Sequence, residues 1–150
     1  MQEIEHKFLV DKDQWAMVKK PAPTLIVQGF ISKSQESVVR VRIKGNKGFL
    51  TLKGKSEGIS RQEFEYEIPL IEAEEILSKF TQKQIRKYRY EIIIDGKTWE
   101  VDEFHGVLEG LILAELEVES ENEQFTKPAW VTKDVSTDPA YYNAVLIDRC

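Results

Sequence analysis

Along this chain, like charges recur two residues apart. Glu3 and Glu5 precede Lys7, Arg40 and Arg42 precede Lys44, and Lys87 and Arg89 precede Glu91. Glu100 stands in the same way beside Asp102, and Glu115 beside Glu117 and Glu119. Lys53 and Arg61 add further cations, the second followed by Glu63, Glu65 and Glu67. Two kinds of chemistry use such sets. Arginine forks grip phosphate oxygens two at a time, and lysines act on them as point charges. Paired carboxylates hold hard divalent cations such as Mg²⁺ or Mn²⁺, which take oxygen ligands. Both sets in one site would suit a ligand with metal and polyphosphate parts.

Between these charges stand apolar residues: Val39, Val41 and Ile43; Phe64, Tyr66 and Ile68; Tyr88, Tyr90 and Ile92; Trp99 and Val101; Leu116 and Val118. Each stretch therefore reads as a β-strand with one charged and one apolar face. On an ordinary strand the charged face meets water. The segregation of sign argues for something else. Residues i and i+2 lie about 6.5–7 Å apart on a strand. Two like charges at that range repel by roughly 2.4 kcal/mol at an effective dielectric near 20. Ordinary surfaces intersperse the signs. Anionic stripes on some strands and cationic stripes on others make sense facing each other across a cavity.

The alternation covers residues 3–9, 37–44, 48–53, 61–68, 86–94, 98–104 and 112–119, with a weaker strand at 25–32. Turn signals at 45–48, 54–58 and Asp95-Gly96 separate several of them. Strands joined by short turns are antiparallel. Closing such a sheet removes its edges. The expected fold is mainly β with some α: an eight-stranded antiparallel closed β-barrel, a tunnel with a charged interior. A barrel of that size holds side chains or one small ligand. Its apolar outer face would be covered by a few short helices, and by a second subunit if the chain forms a homodimer. A helix over 12–19 opens on Asp11 and Gln14 as a capping pair. A second spans 71–80 after Pro69, and a last one runs from Asp138-Pro139 through Leu146.

Length and composition set the bounds. The 150 residues suffice for one domain, 1–150, with its own core. The net charge of −5 argues against a nucleic-acid partner gripped by a global positive field. The single cysteine, Cys150, excludes an intrachain disulfide. No charged-then-apolar leader and no long apolar run is present, so the expectation is a cytoplasmic protein with no membrane partner.

Taken in order, the motifs resemble the CYTH superfamily, the triphosphate tunnel metalloenzymes. "EIEHKF" fits that family's ExExK signature. Arg40-Val41-Arg42, Leu50-Thr51-Leu52-Lys53, Ser60 to Glu65, Lys87-Tyr88-Arg89-Tyr90, Glu100-Val101-Asp102 and Glu115-Leu116-Glu117 are similar to its successive strand motifs. Asp134-Val135-Ser136, with Tyr141 and Asn143, resembles its closing segment. The resemblance implies metal-dependent chemistry on a triphosphate, a small-molecule substrate. Family members include inorganic triphosphatases, thiamine triphosphatases and class IV adenylyl cyclases. It implies Glu3, Glu5, Asp102, Glu115 and Glu117 as ligands for one or two Mg²⁺ or Mn²⁺ ions. Lys7, Arg40, Arg42, Lys53, Arg61, Lys87 and Arg89 would bind phosphate, with Lys7, Lys87, Glu5 and Glu117 nearest the chemistry. Two positions depart from the pattern. Phe30 stands where a tyrosine is common, which takes from Lys7 a partner for activating water. Ala140 stands where an arginine often precedes the closing tyrosine.

The expected reaction is hydrolysis of tripolyphosphate to pyrophosphate and phosphate. The alternatives are cyclisation of ATP to cyclic AMP and a non-catalytic polyphosphate- or nucleotide-binding module. His6 alternates away from the charged face and reads as a packing residue, as do Trp15, Trp99 and Trp130.

Overall fold

A computed structural model describes residues 1–150. Nine strands follow one another: β1 (Gln2–Val10), β2 (Thr24–Lys33), β3 (Ser37–Lys44), β4 (Lys47–Gly54), β5 (Ser60–Ile68), β6 (Ile85–Ile94), β7 (Lys97–Phe104), β8 (Ile112–Glu117) and β9 (Val131–Asp134). Three short helices, α1 (Lys12–Ala16), α2 (Leu70–Phe80) and α3 (Asn143–Leu146), complete the chain with a few 3₁₀ turns.

Eight strands close on themselves in the order β5-β4-β3-β2-β6-β7-β8-β1, and β1 pairs back to β5. Every pairing is antiparallel. The closed antiparallel barrel expected from alternation is therefore the fold. Its tightest turns sit where the sequence carries glycine. β6 and β7 meet through Asp95 (φ 51°) and Gly96 (φ 75°), both left-handed, as a type I′ hairpin requires. β9 is the strand that alternation did not disclose. It has four residues, three of them exposed, and pairs with Phe8 and Val10 of β1 beyond the point where β5 leaves that edge.

The apolar faces point outward and are partly roofed. Phe8, Trp99, Val101 and Leu116 pack beneath Trp15 of α1 and Trp130, with His6 stacked on Phe8 and tilted against Phe125. The three tryptophans and His6 are packing residues, as read from sequence. α2 lies over Val41 and Leu50 through Ala73 and Leu77. The approach is close: a Cβ on Gly48 would stand 2.5 Å from that of Ala73. Leu52, Phe64 and Tyr66, on the outer face of β4 and β5, remain exposed.

Inside the barrel the character changes along its length. Ile85, Phe104 and Leu113 continue the inward faces of β6, β7 and β8 at one end. They meet Val135, Leu146 and Ile147, which plug that end from the C-terminal segment. This segment differs from the continuous helix expected over 139–146. Residues 139–141 form a 3₁₀ turn capped by Asp138, Tyr142 is extended (φ −71°, ψ 135°), and α3 begins at Asn143. The break has a physical cause. The Tyr141 carbonyl accepts from Lys7 Nζ at 3.1 Å, while the Val145 N–H is taken by Tyr142. α1 likewise stops at Ala16 rather than residue 19, because Lys20 Nζ takes the carbonyls of Trp15 and Val18.

Candidate active site

Strand alternation turns each charged stripe to the barrel axis. A central cavity of about 200 Å³ is lined by 13 residues, six cations and seven carboxylates, with no apolar side chain among them. Glu3 and Glu5 come from β1, Arg40 and Arg42 from β3, Lys53 from β4, Lys87 and Arg89 from β6, and Glu115 and Glu117 from β8. A second cavity of about 80 Å³ adjoins it, sharing Glu3, Glu5, Arg40, Lys53 and Glu115 and adding Lys7, Arg61 and residues of the C-terminal segment.

The cations are held by specific carboxylates. Asp102 lies across from Arg89 on the neighbouring strand and receives its fork at 2.8 and 2.9 Å. Lys87 Nζ reaches the same carboxylate at 2.8 Å. Arg89 also meets Glu100 at 3.1 Å and Glu115 at 3.3 Å. Lys7 stands 3.8 Å from Glu115. On the far wall, Arg40 and Arg42 converge on Glu65, which accepts from Thr51 Oγ1 at 2.7 Å. Lys53 sits between Glu3 at 3.1 Å and Glu63 at 3.2 Å.

These pairings divide the carboxylates into two kinds. Burial opposes the ionised form of Glu115, yet Lys7, a hydrogen bond from Glu5 and the Arg89 charge hold it well below the usual carboxylate range. Asp102 is likewise lowered against its burial, by Arg89 and Lys87. Glu5 goes the other way: burial raises it well above the ordinary value, and the negative charge of Glu115 adds to this. Burial also raises Glu117, with Glu3, Glu63 and Glu100 adding their charges. The carboxylates around Glu5 thus exceed the positive charge available to them. Among the cations, desolvation brings Lys87 down to about 8 and Arg40 down to about 10.

The fit to a divalent cation can be judged on this donor set. As the side chains stand, no three His, Cys, Asp or Glu residues converge as a ready metal cluster. Glu3, Glu63, Glu65, Glu100 and Glu115 are turned to cations, and Glu5 is hydrogen-bonded to Glu115. Still, the groups nearest Glu5 are hard oxygen donors with an uncompensated charge, the chemistry that suits Mg²⁺ or Mn²⁺.

Of the residues singled out from sequence, Glu3, Glu5, Arg40, Arg42, Lys53, Lys87, Arg89, Glu115 and Glu117 line the central cavity, and Lys7 and Arg61 line the one beside it. Asp102 does not line either cavity; both its oxygens are engaged by Lys87 and Arg89. Sequence reasoning assigned no role to Glu63, Glu65, Glu100, Thr51, Gln28 or Asn143. The glutamates lay on the charged stripe and were legible as such. The neutral residues carried no charge signal.

Residues 1–144 match the family profile of the CYTH domain. The chain is 48% identical over 146 residues to an inorganic triphosphatase of Acetivibrio thermocellus, covering 97% of this chain and 92% of that protein. It is 34% identical over 154 residues to an inorganic triphosphatase of Nitrosomonas europaea, covering 97% of each. The crystal structure of an inorganic triphosphatase superposes with a TM-score of 0.66 at 30% identity, over 97% of this chain and 93% of that one. A putative adenylate cyclase of Bacillus halodurans shares the fold, with a TM-score of 0.62 at 20% identity over 79% of this chain and 81% of that one.

Proposed function

The chain belongs to the CYTH domain family, and on that premise we propose that it is a divalent-metal-dependent inorganic triphosphatase, hydrolysing tripolyphosphate to pyrophosphate and phosphate. The observation that carries the proposal is the central cavity, in which all 13 lining residues are charged. A chain of linked phosphates offers charge along its whole length and nothing apolar. The same cavity offers no apolar surface for an adenine ring, which favours tripolyphosphate over ATP cyclisation.

Phosphoryl transfer depends on positioning and charge stabilisation more than on covalent chemistry. In the proposed mechanism Arg40, Arg42 and Arg89 grip the phosphate oxygens, and Lys7, Lys53, Lys87 and Arg61 add point charges and a further fork. Phosphate oxygens take the place of Glu65 on the two arginines of β3. Asp102 keeps Arg89 and Lys87 aimed inward and is a positioning residue. Glu3, Glu5, Glu115 and Glu117 would hold one or two Mg²⁺ or Mn²⁺ ions, which when bound neutralise phosphate charge and lower the pKa of water. Beside such an ion Glu5 would be held in its ionised form, since the positive charge would offset its burial and the Glu115 charge. Phe30 lines the smaller cavity beside Lys7 and offers no hydroxyl, so the proposal gives Lys7 phosphate binding and not proton abstraction.

Phosphate, pyrophosphate and cyclic nucleotide should be read together across tripolyphosphate, ATP and thiamine triphosphate, with each metal. Release of phosphate and pyrophosphate from tripolyphosphate, lost in Glu117→Gln, is the expected result. No turnover of any triphosphate would overturn the proposal.

A further inference from the structure

Gln28 is fully buried on β2, and its side-chain Oε1 has no hydrogen-bond partner. An orphaned buried acceptor is costly, at about 1–3 kcal/mol. The orientation that leaves it orphaned has a visible purpose. Gln28 Nε2 donates at 2.9 Å to Oδ1 of Asn143, the first residue of α3. The same oxygen accepts from Lys87 Nζ at 3.0 Å. Two donors from the paired strands β2 and β6, 115 and 56 residues earlier in sequence, therefore fix the Asn143 amide.

With Oδ1 so occupied, the amide nitrogen of Asn143 is turned to the other side. It has no protein partner, and unlike Gln28 Oε1 it is not sealed. Asn143 lines the smaller cavity together with Lys7, Arg40, Lys53 and Arg61, four cations that would gather phosphate oxygens. A neutral donor fixed among them adds a hydrogen bond without adding charge.

Resting on the triphosphatase proposal, we infer that Asn143 is a substrate-binding residue: its Nδ2 donates to the bound triphosphate while its Oδ1 holds the Lys87 ammonium in place. The C-terminal segment is by this inference part of the site, tied to it also through the Tyr141 carbonyl on Lys7.

The test is titration calorimetry of the metal-free protein with tripolyphosphate, alongside steady-state hydrolysis with Mg²⁺ and thermal melts. Asn143→Ala should weaken binding at least about tenfold, the value of one hydrogen bond to a charged group. Asn143→Asp keeps an acceptor for Lys87 and Gln28, and so keeps the melting temperature, but replaces the donor with a negative charge. It should bind more weakly than Asn143→Ala and raise KM more than it lowers kcat. Asn143→Asp binding as tightly as the wild type, or more tightly than Asn143→Ala, would overturn the inference, since holding Lys87 would then suffice. Wild-type protein that neither binds nor hydrolyses tripolyphosphate would sink the triphosphatase proposal and this inference with it. Wild-type activity with indifferent Asn143 variants would sink this inference alone.

Discussion

Lys87 reaches diagonally across adjacent strands to Asp102, with Nζ 2.8 Å from Oδ2 and side chains 2% and 1% exposed. Such a pair is expensive to leave half-made. Two charges withdrawn from water rely on each other, and removing one leaves the other uncompensated.

Asp102→Asn should therefore destabilise the fold, by about 3 kcal/mol or more. In a domain of this size each kcal/mol moves the melting temperature by about 2–4 °C. A melt that matches the wild type would show that Asp102 is dispensable to Lys87 and Arg89.

Lys87 also predicts a pH profile. Desolvation lowers it to about 8, so its ammonium is present below that pH and lost above it. A phosphate contact that needs the charged form weakens accordingly. The kcat/KM for tripolyphosphate should fall as pH rises through about 8, and Lys87→Arg, charged throughout, should remove the fall. An unchanged profile in Lys87→Arg would assign the limb to another group.

Glu5 predicts a stability profile of the metal-free protein. Its folded pKa stands above its unfolded value, so its stabilising contribution is complete at acid pH and is lost as pH rises through the folded pKa. Glu5→Gln mimics the protonated form and can still donate to Glu115. At pH 8 without metal it should melt at least about 2–4 °C above the wild type, the shift that 1 kcal/mol gives. At pH 5 the difference should vanish, and hydrolysis should be abolished throughout. A variant less stable at pH 8 would mean that the fold favours the ionised form of Glu5.

Removal of metal should abolish turnover, and its return should stabilise. Mg²⁺ or Mn²⁺ at 100 times its dissociation constant adds about 2.7 kcal/mol to a protein that binds it only when folded. Thermal melts with and without chelator read this directly. Glu115→Gln should erase most of the difference, and a full metal-induced rise in that variant would remove Glu115 from the ligand set.

Arg40 and Arg42 share Glu65 at 3.4 and 3.2 Å. If phosphate displaces Glu65, Arg42→Lys should raise KM by roughly tenfold, since a lysine restores the charge but not the fork. Glu65→Gln, which frees both forks, should lower KM. A higher KM in Glu65→Gln would mean that the carboxylate positions the arginines for substrate.

Much of this was legible in the chain. Period-two alternation gave the strands, because a strand offers its side chains to two faces in turn. The like-signed pairs Arg40/Arg42, Lys87/Arg89 and Glu115/Glu117 marked the face that could not be ordinary surface. Four-residue β9 escaped, since so short and exposed a strand has no alternation to read. Local sequence predicts a continuous last helix, and the Lys7 ammonium that takes the Tyr141 carbonyl and breaks it comes from 134 residues earlier. By itself the sequence determined which residues turn inward and with what charge, since both follow from local backbone geometry. Tertiary structure alone decided which carboxylate answers which cation, where the interior turns apolar, and that Gln28 and Lys87 meet on the Asn143 amide. Those are contacts between strands and segments far apart in the chain, and only closure of the barrel brings them within hydrogen-bond range.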